Sequence, residues 1–259
     1  MAVNRPERGY TMLELGVVLA VVGVLLVTAM YFHDPGKGRT IESAAEYQDK
    51  IVESIYSFAA RNFRLPCADT DGDGYEGGAA GCAATDVVGG VPYKTLGLVI
   101  PGALGSGFEK QFMYGVYRNA ALDADLASLV ERTGDAAGDS EYLQLNDLRK
   151  ALRNANASLG ALDAALIHVT GDGSSKTGAI SCAGNKVVNV AFFVVNGGTR
   201  DADADGSLFD GENAPMTWPG VGKICVSGPH TPATAQYDDA VRAVGFSELL
   251  GHLTPAGGV

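Results

Sequence analysis

Residues 15–32 read LGVVLAVVGVLLVTAMYF, an uncharged run of 18 residues near the start of the chain. As an α-helix with a rise of about 1.5 Å per residue, this run is roughly 27 Å long, which is close to the thickness of the hydrocarbon core of a bilayer. The next most apolar stretch, residues 187–195 (VVNVAFFVV), is too short to span a membrane, and its β-branched and aromatic residues predict a buried strand. The sequence therefore predicts one transmembrane helix, over residues 10–33.

The residues before the apolar run leave more than one interpretation open. Arg5 and Arg8 precede it, and the small residues at 27–29 (VTA) offer a cleavage site, as in a secretory signal peptide. Glu14 argues against that interpretation, because a carboxylate at the edge of an apolar helix is costly to bury and persists where it has a partner. A plain signal anchor whose Glu14 reaches the membrane surface is the other alternative.

The pattern around Glu14 resembles the leader of type IV prepilins and type II secretion pseudopilins, in which Arg8-Gly9 is followed by Tyr10, Thr11, Glu14 and the apolar run. The resemblance implies that residues 1–9 are a leader, that a prepilin peptidase cleaves after Gly9, and that it methylates the new amino group of Tyr10. It also implies that Glu14 neutralises the N-terminal ammonium of a neighbouring subunit, since two opposite charges brought together in a low dielectric repay each other's desolvation. Tyr10 departs from the Phe that most members of the family carry.

Residues 34–63 are predicted to continue this helix outside the membrane. The sequence HDPGKG at residues 33–38 predicts a kink or a short melted stretch, because Pro lacks a backbone donor and Gly weakens helices. From Thr40 to Phe63 the helical spacing resumes with an apolar and a polar face. The apolar positions are Ile41, Ala44, Ala45, Ile51, Val52, Ile55, Phe58 and Ala59, and the polar ones are Glu42, Glu46, Asp49, Lys50 and Glu53.

Residues 64–259 are predicted to form an extracytoplasmic α+β domain, in which the long N-terminal helix packs on an antiparallel sheet. Helical spacing over residues 122–132 and 141–166 predicts a helical insertion. Strands are expected at residues 167–170, 178–182, 187–195 and 222–226, and a closing helix at the end of residues 237–253. Residues 64–76, Cys82 and residues 90–98 resemble a segment of large pilin-like proteins, which implies surface display.

Composition excludes several classes of function. The chain has 19 Lys and Arg against 30 Asp and Glu, a net charge of −11, so we expect no nucleic-acid partner. The four histidines are scattered, and neither HExxH nor GxSxG occurs in the sequence. We therefore expect no enzymatic activity and no organic cofactor.

The four cysteines, Cys67, Cys82, Cys182 and Cys225, allow three pairings. Sequence order favours Cys67 with Cys82 and Cys182 with Cys225. No close CxxC pair is present, so disulfides in an oxidising periplasm are favoured over a zinc site. This places the globular part outside the cytoplasm.

Two acidic loops fit templates for calcium binding. Residues 201–212 (DADADGSLFDGE) match the EF-hand loop, with Asp201, Asp203, Asp205, Ser207 and Glu212 as candidate ligands, although the flanking residues do not predict EF-hand helices. Asp69, Asp71 and Asp73 repeat the first half of this template. The alternative for each loop is a solvated acidic turn.

The sequence therefore predicts a structural subunit of a type IV pilus or type II secretion filament, and its length of 259 residues favours a minor subunit. The implied partners are other pilin or pseudopilin subunits, the prepilin peptidase, the inner-membrane assembly platform and, before assembly, membrane lipid. The subunit would cross the inner membrane once, with its C-terminal domain in the periplasm, and then join a filament. The alternative function is a signal-anchored or secreted periplasmic binding module, calcium-dependent or not, that does not polymerise.

Overall fold

The computed structural model describes residues 16–17, 19–23, 35–79, 81–100, 107–132, 142–157, 164–170, 182, 187–220 and 224–254. The chain divides into two compact units, Met1–Glu42 and Ser43–Val259. In the first unit, residues 16–17 and 19–23 are helical and exposed, including the apolar side chains of Val17, Leu19, Val21 and Val22. Within the described residues, no helix has the length and apolar character needed to cross a membrane. The predicted transmembrane helix over residues 10–33 lies largely outside the described residues.

The described helices and strands follow one another along the chain with these bounds. The helices are α1 (Pro35–Asn62), α2 (Leu145–Ala157) and α3 (Phe246–Leu253). The strands are β1 (Val88–Gly90), β2 (Phe112–Val116), β3 (Arg118–Asn119), β4 (Ala124–Asp125), β5 (His168–Thr170), β6 (Val187–Asn189), β7 (Phe192–Asn196), β8 (Cys225–Val226) and β9 (Ala240–Val244). Short 3₁₀ helices occupy Phe108–Gln111, Ala120–Leu122 and Gly211–Asn213.

Helix α1 confirms most of the predicted amphipathic helix. It begins at Pro35, so residues 35–38 are helical and not melted, because Pro is well tolerated at the first position of a helix, where its missing donor is not needed. The junction before Pro35, where the predicted kink would lie, is outside the described residues. Most of the predicted apolar positions that the structure describes are buried, and Glu46, Asp49, Lys50 and Glu53 are exposed. Ala45 is an exception, since it is exposed. The helix ends where Phe63 adopts a left-handed φ of 57°.

Helix α1 packs on an antiparallel sheet with the strand order β1-β2-β7-β9. Gln48 Nε2 donates to the carbonyl oxygens of Val194 in β7 and Ala240 in β9, at 3.0 and 2.9 Å. The ring of Tyr47 contacts those of Phe108 and Phe112, and these three side chains are buried. The fold is therefore a mixed α+β fold with an antiparallel main sheet, as the sequence predicted.

The predicted strand at residues 187–195 is divided between two sheets. β6 pairs with β5 in a second sheet of order β6-β5-β8, in which β5 and β8 are parallel. Val190 and Ala191 form a buried corner, where the Ala191 amide donates to the carbonyl of Val244 at 2.8 Å. β7 then continues in the main sheet, so one apolar run supplies strands to two sheets, and only β7 is buried along its whole length.

The predicted helix over residues 122–132 is wrong. The 3₁₀ turn ends at Asp123, whose φ is 51°, and β4 pairs with β3 instead. The buried guanidinium of Arg132 organises this segment by donating to the carbonyl oxygens of Asp123, Asp125 and Val130. The prediction over residues 141–166 is confirmed in its middle by α2, whereas residues 178–181 of a predicted strand lie outside the described residues.

Candidate metal centre

The loop over residues 201–212 is folded by its own carboxylates. Asp201 Oδ1 accepts from the Asp205 amide at 3.1 Å, and its Oδ2 accepts from the Gly206 amide at 2.8 Å. Asp203 Oδ2 accepts from the Gly211 amide at 3.2 Å. Gly206 has a φ of 95°, a conformation that glycine adopts without steric cost. The carboxylates of Asp201 and Asp203 are therefore gathered on the inside of the turn.

Asp210 anchors this loop to the chain before β9. Its side chain is fully buried, with Oδ1 accepting from the Ala202 amide at 2.9 Å and Oδ2 accepting from the Asp238 amide at 3.0 Å. One carboxylate oxygen each of Asp201, Asp203 and Asp210 lie within 4.8 Å of one another. Asp210 is thus the third member of the predicted loop site, a position that the template did not select.

A second acidic group shares Asp210 with the first. Oxygens of Asp210, Asp238 and Asp239 also lie within 4.8 Å of one another. Asp239 is 7% exposed, and its Oδ2 accepts from the Asp210 amide at 3.1 Å and from Asn213 Nδ2 at 2.7 Å. Within the described part of the chain, its Oδ1, like Oδ1 of Asp238, is buried without a hydrogen-bond partner. A buried carboxylate oxygen without a donor is the kind of group that a cation satisfies.

The electrostatics of this group also favour a cation. The pKa of Asp239 is raised to about 7, mainly by burial and also by the carboxylates of Asp210 and Asp238, against the lowering effect of the hydrogen bonds from Asn213 and Asp210. Burial likewise raises the pKa of Asp210 above its ordinary value. Oxygen ligands of this kind suit Ca²⁺, which takes six to eight of them with flexible geometry. These residues therefore fit a hard divalent cation.

The remaining predicted ligands of the loop lie elsewhere. Asp205 and Glu212 belong to neither acidic group within the described part of the chain. Ser207 Oγ accepts from the Phe209 amide at 3.0 Å. Asp238 and Asp239 were missed by sequence reasoning, although two adjacent aspartates immediately before an apolar strand are a signal that could have found them.

The loop at residues 69–76 places Asp69, Asp71 and Asp73 together, with one oxygen of each within 4.8 Å of the others. Asp69 is buried and accepts from the amides of Gly72 and Gly74, at 2.7 and 2.8 Å. Burial raises the pKa of Asp69 despite these bonds. Asp71 and Asp73 are exposed. Among the described residues, this group has no buried oxygen without a hydrogen-bond partner, in contrast to the group of Asp238 and Asp239, so it resembles the acidic turn that was the alternative.

Glu76 closes this loop against the end of α1. Arg64 donates to both of its oxygens, at 2.7 and 2.6 Å, and the Cys67 amide donates to one of them at 3.1 Å. Burial raises the pKa of Glu76, but these hydrogen bonds and the charge of Arg64 outweigh it, so that the pKa lies below its ordinary value. The role of Glu76 is therefore to stabilise the loop against the end of α1.

The cysteines form the pairs that sequence order favoured, Cys67–Cys82 and Cys182–Cys225. The first disulfide encloses the loop of Asp69, and the second joins residue 182 to β8. Arg118 Nη1 lies 3.8 and 3.7 Å from the sulfurs of Cys67 and Cys82, and its guanidinium pairs with Asp125. Both acidic regions thus belong to a cross-linked domain.

Gly9, Tyr10 and Glu14 lie outside the described residues, so their predicted roles remain predictions. No protein-family model, curated protein or solved structure matches the chain.

Proposed function

We propose that the chain is a structural subunit of a type IV pilus or type II secretion filament, processed after Gly9 and assembled through its N-terminal helix. One observation of the structure carries this proposal furthest: the amphipathic helix α1 lies on an antiparallel sheet and is fastened to it by Gln48. This arrangement is the one implied by the leader pattern at residues 8–14. A minor subunit is the form that the length of the chain favours.

The exposed apolar residues of the first unit support the same proposal. Val17, Leu19, Val21 and Val22 are 45–65% exposed, although Val and Leu side chains are usually buried in a folded protein. A lipid bilayer before assembly, and the helices of neighbouring subunits afterwards, would cover them. The platform of the inner membrane and the prepilin peptidase are the further partners of this proposal.

The two disulfides support the proposed location of the domain. Disulfides form and persist in oxidising compartments such as the bacterial periplasm. The Cys67–Cys82 and Cys182–Cys225 pairs therefore agree with a domain that lies outside the cytoplasm before and after assembly.

We further propose that Ca²⁺ binds in the acidic region around Asp210 and stabilises the domain. The observation that favours it is the buried Oδ1 of Asp239, which has no donor among the described residues. Asp201, Asp203 and Asp238 supply the other carboxylates of the two groups that share Asp210.

The first test of the function is the intact mass and N-terminus of the protein isolated from the membranes of its native host. A chain that begins with N-methylated Tyr10 supports the proposal. A chain that begins at Met30, after ordinary signal cleavage, or that retains Met1 contradicts it.

Assembly is tested by Glu14→Ala. We expect this variant to be processed but to fall by more than about tenfold in the sheared filament fraction, because removing one partner of a buried ion pair costs roughly 3–5 kcal/mol. Glu46→Ala, at an exposed position of α1, is the matched control and should assemble normally. If the two variants assemble equally well, the chain is an anchored module that does not polymerise.

A further inference from the structure

An open cleft of about 420 Å³ lies beside the loop of residues 201–212, and the proposed function does not use it. Trp218 forms part of its wall, and the side chains of Lys110 and Asp205 line it together with the buried residues Phe209 and Met216. The cleft thus combines an indole ring, an apolar base, one cation and one carboxylate. The sequence predicted Asp205 as a ligand of a cation, whereas the structure places it in the lining of this cleft.

The indole of Trp218 is held by close backbone packing. A Cβ added to Gly72 would lie 2.9 Å from Trp218 Cη2, and one added to Gly90 would lie 2.8 Å from Trp218 Nε1. Both distances are too short for real atoms, so only glycine at these positions leaves room for the ring. Trp218 is half-buried, which leaves part of the ring for a ligand. The ring is therefore fixed before a ligand arrives, which lowers the entropic cost of binding.

The polar groups of the cleft can both donate and accept hydrogen bonds. Lys110 Nζ lies 5.3 Å from the centroid of the Trp218 ring and offers three donors. Asp205 Oδ1 is held by the Ser207 amide at 2.8 Å, which positions the carboxylate as an acceptor. A donor thus lies over the aromatic ring, and an acceptor lines the same cleft.

Charge narrows the class of ligand. A cationic ligand would be repelled by the positive charge of Lys110, which lies over the ring. An anionic ligand would meet Asp205, the neighbouring carboxylates of Asp201 and Asp203, and a chain of net charge −11. A neutral molecule with an apolar C–H face and several hydroxyl groups avoids both penalties, because hydroxyls donate as well as accept.

We propose that this cleft binds a neutral saccharide, with a sugar ring on Trp218 in place of the Lys110 ammonium, which moves to a hydroxyl of the sugar, and with a second hydroxyl bonded to Asp205. The site is independent of the filament proposal, and saccharide binding and assembly are separate measurements. The same sugar chemistry occurs in free oligosaccharides and in surface polysaccharides, so the test includes both sources.

The chain contains one tryptophan, so its intrinsic fluorescence reports on the cleft. The full-length protein is kept in a detergent without a sugar head group and is titrated with neutral gluco-, manno- and chito-oligosaccharides. Pull-down on insoluble polysaccharides of the same sugars forms the second arm. We expect a saturable change in Trp218 fluorescence with at least one free oligosaccharide. If only the polymer binds, we expect the protein to be retained on at least one insoluble polysaccharide.

Two variants locate the binding without removing the fluorophore. Lys110→Ala and Asp205→Asn should each weaken binding by about tenfold, the loss expected for one hydrogen bond to a charged group. Lys94→Ala is the matched control, because Lys94 lies over the rings of Tyr75 and Tyr93, away from the cleft, and this variant should bind normally. Absence of binding in both arms, or equal affinity in Lys110→Ala, Asp205→Asn and Lys94→Ala, would overturn the proposal.

Discussion

Asp239 combines near-complete burial, an oxygen to which no described residue donates, and a pKa of about 7, compared with an ordinary value of 3.8. Between these two values the unfolded chain has released the proton of this carboxyl while the folded chain still holds it. A group that binds its proton more tightly in the folded state loses stabilising effect as the pH rises. Without a cation, Asp239 therefore destabilises the domain increasingly from about pH 4 to pH 7.

Asp239→Asn should remove this pH dependence. Its amide oxygen can still accept from the Asp210 amide and Asn213, while the buried charge is gone. With chelator present, the stability of the unsubstituted protein relative to the variant should fall by up to about 1.4 kcal/mol per pH unit across this range. Urea unfolding at several pH values measures the difference in stability. If the free energy of unfolding changes with pH in the same way for both proteins, the prediction is contradicted.

Binding of Ca²⁺ at Asp239 should stabilise the folded domain, whereas the charged carboxylate without a cation destabilises it. A ligand at about 100 times its Kd stabilises the folded state by about 2.7 kcal/mol, and Asp239→Asn should lose this gain. Asp71→Asn is the control, because Asp71 is exposed in the other acidic loop. If chelator does not change the unfolding midpoint of the unsubstituted protein, the proposed cation site is excluded.

At the scale of elements, the contact between α1 and the main sheet depends on one polar side chain in an apolar interface. Gln48 is 7% exposed and satisfies carbonyl oxygens on both β7 and β9. Leaving buried acceptors without a donor costs about 1–3 kcal/mol.

Gln48→Ala should therefore lower the free energy of unfolding by about 1–3 kcal/mol. Asp49→Ala, at the next and exposed position of the same helix, should change it by less than about 0.5 kcal/mol. Denaturant unfolding of the two variants gives the comparison. Equal stability of the pair would mean that packing alone holds the helix on the sheet.

Elements whose pattern is repeated over many residues were predictable, and those that depend on one distant contact were not. The 3.6-residue period identified the buried face of α1. The same period over residues 122–132 was misleading, because buried Arg132 draws the carbonyls of that segment into a non-helical arrangement. The corner at Val190 and Ala191 has no local signal, since both residues are as apolar as the strands beside them.

The candidate site shows the same limit. The template at residues 201–212 found Asp201 and Asp203, which the fold does bring together. Asp210 stands off the template's ligand positions, and Asp238 and Asp239 come from a segment that only the tertiary fold brings to the loop. A pattern confined to twelve residues cannot include carboxylates that lie elsewhere in the sequence and reach the loop only through the tertiary fold.

At the scale of the whole molecule, the disulfides restrict the unfolded chain. The Cys67–Cys82 and Cys182–Cys225 bonds span 15 and 43 residues. Loop-closure entropy assigns about 3 kcal/mol to the first and about 4 kcal/mol to the second. Replacing each pair by alanines should lower the stability of the oxidised protein by these amounts, with the larger loss for Cys182 and Cys225.

Chemical denaturation with and without reductant checks this order. Reductant should destabilise the unsubstituted protein more than either double variant. If reductant affects none of the proteins, the disulfides contribute nothing to stability.

The contacts of α1 with the end of the chain also determine when the domain can fold. Gln48 and Tyr56 reach Ala240 and Glu248, each 192 positions away, and Tyr56 stacks on His252 in α3. Such distant pairing slows folding and prolongs the exposure of apolar surface. A nascent chain therefore keeps the parts of α1 that contact β9 and α3 uncovered until Ala240–Val244 and Phe246–Leu253 have been synthesised. The core around α1 is therefore completed only after nearly the whole chain has been synthesised.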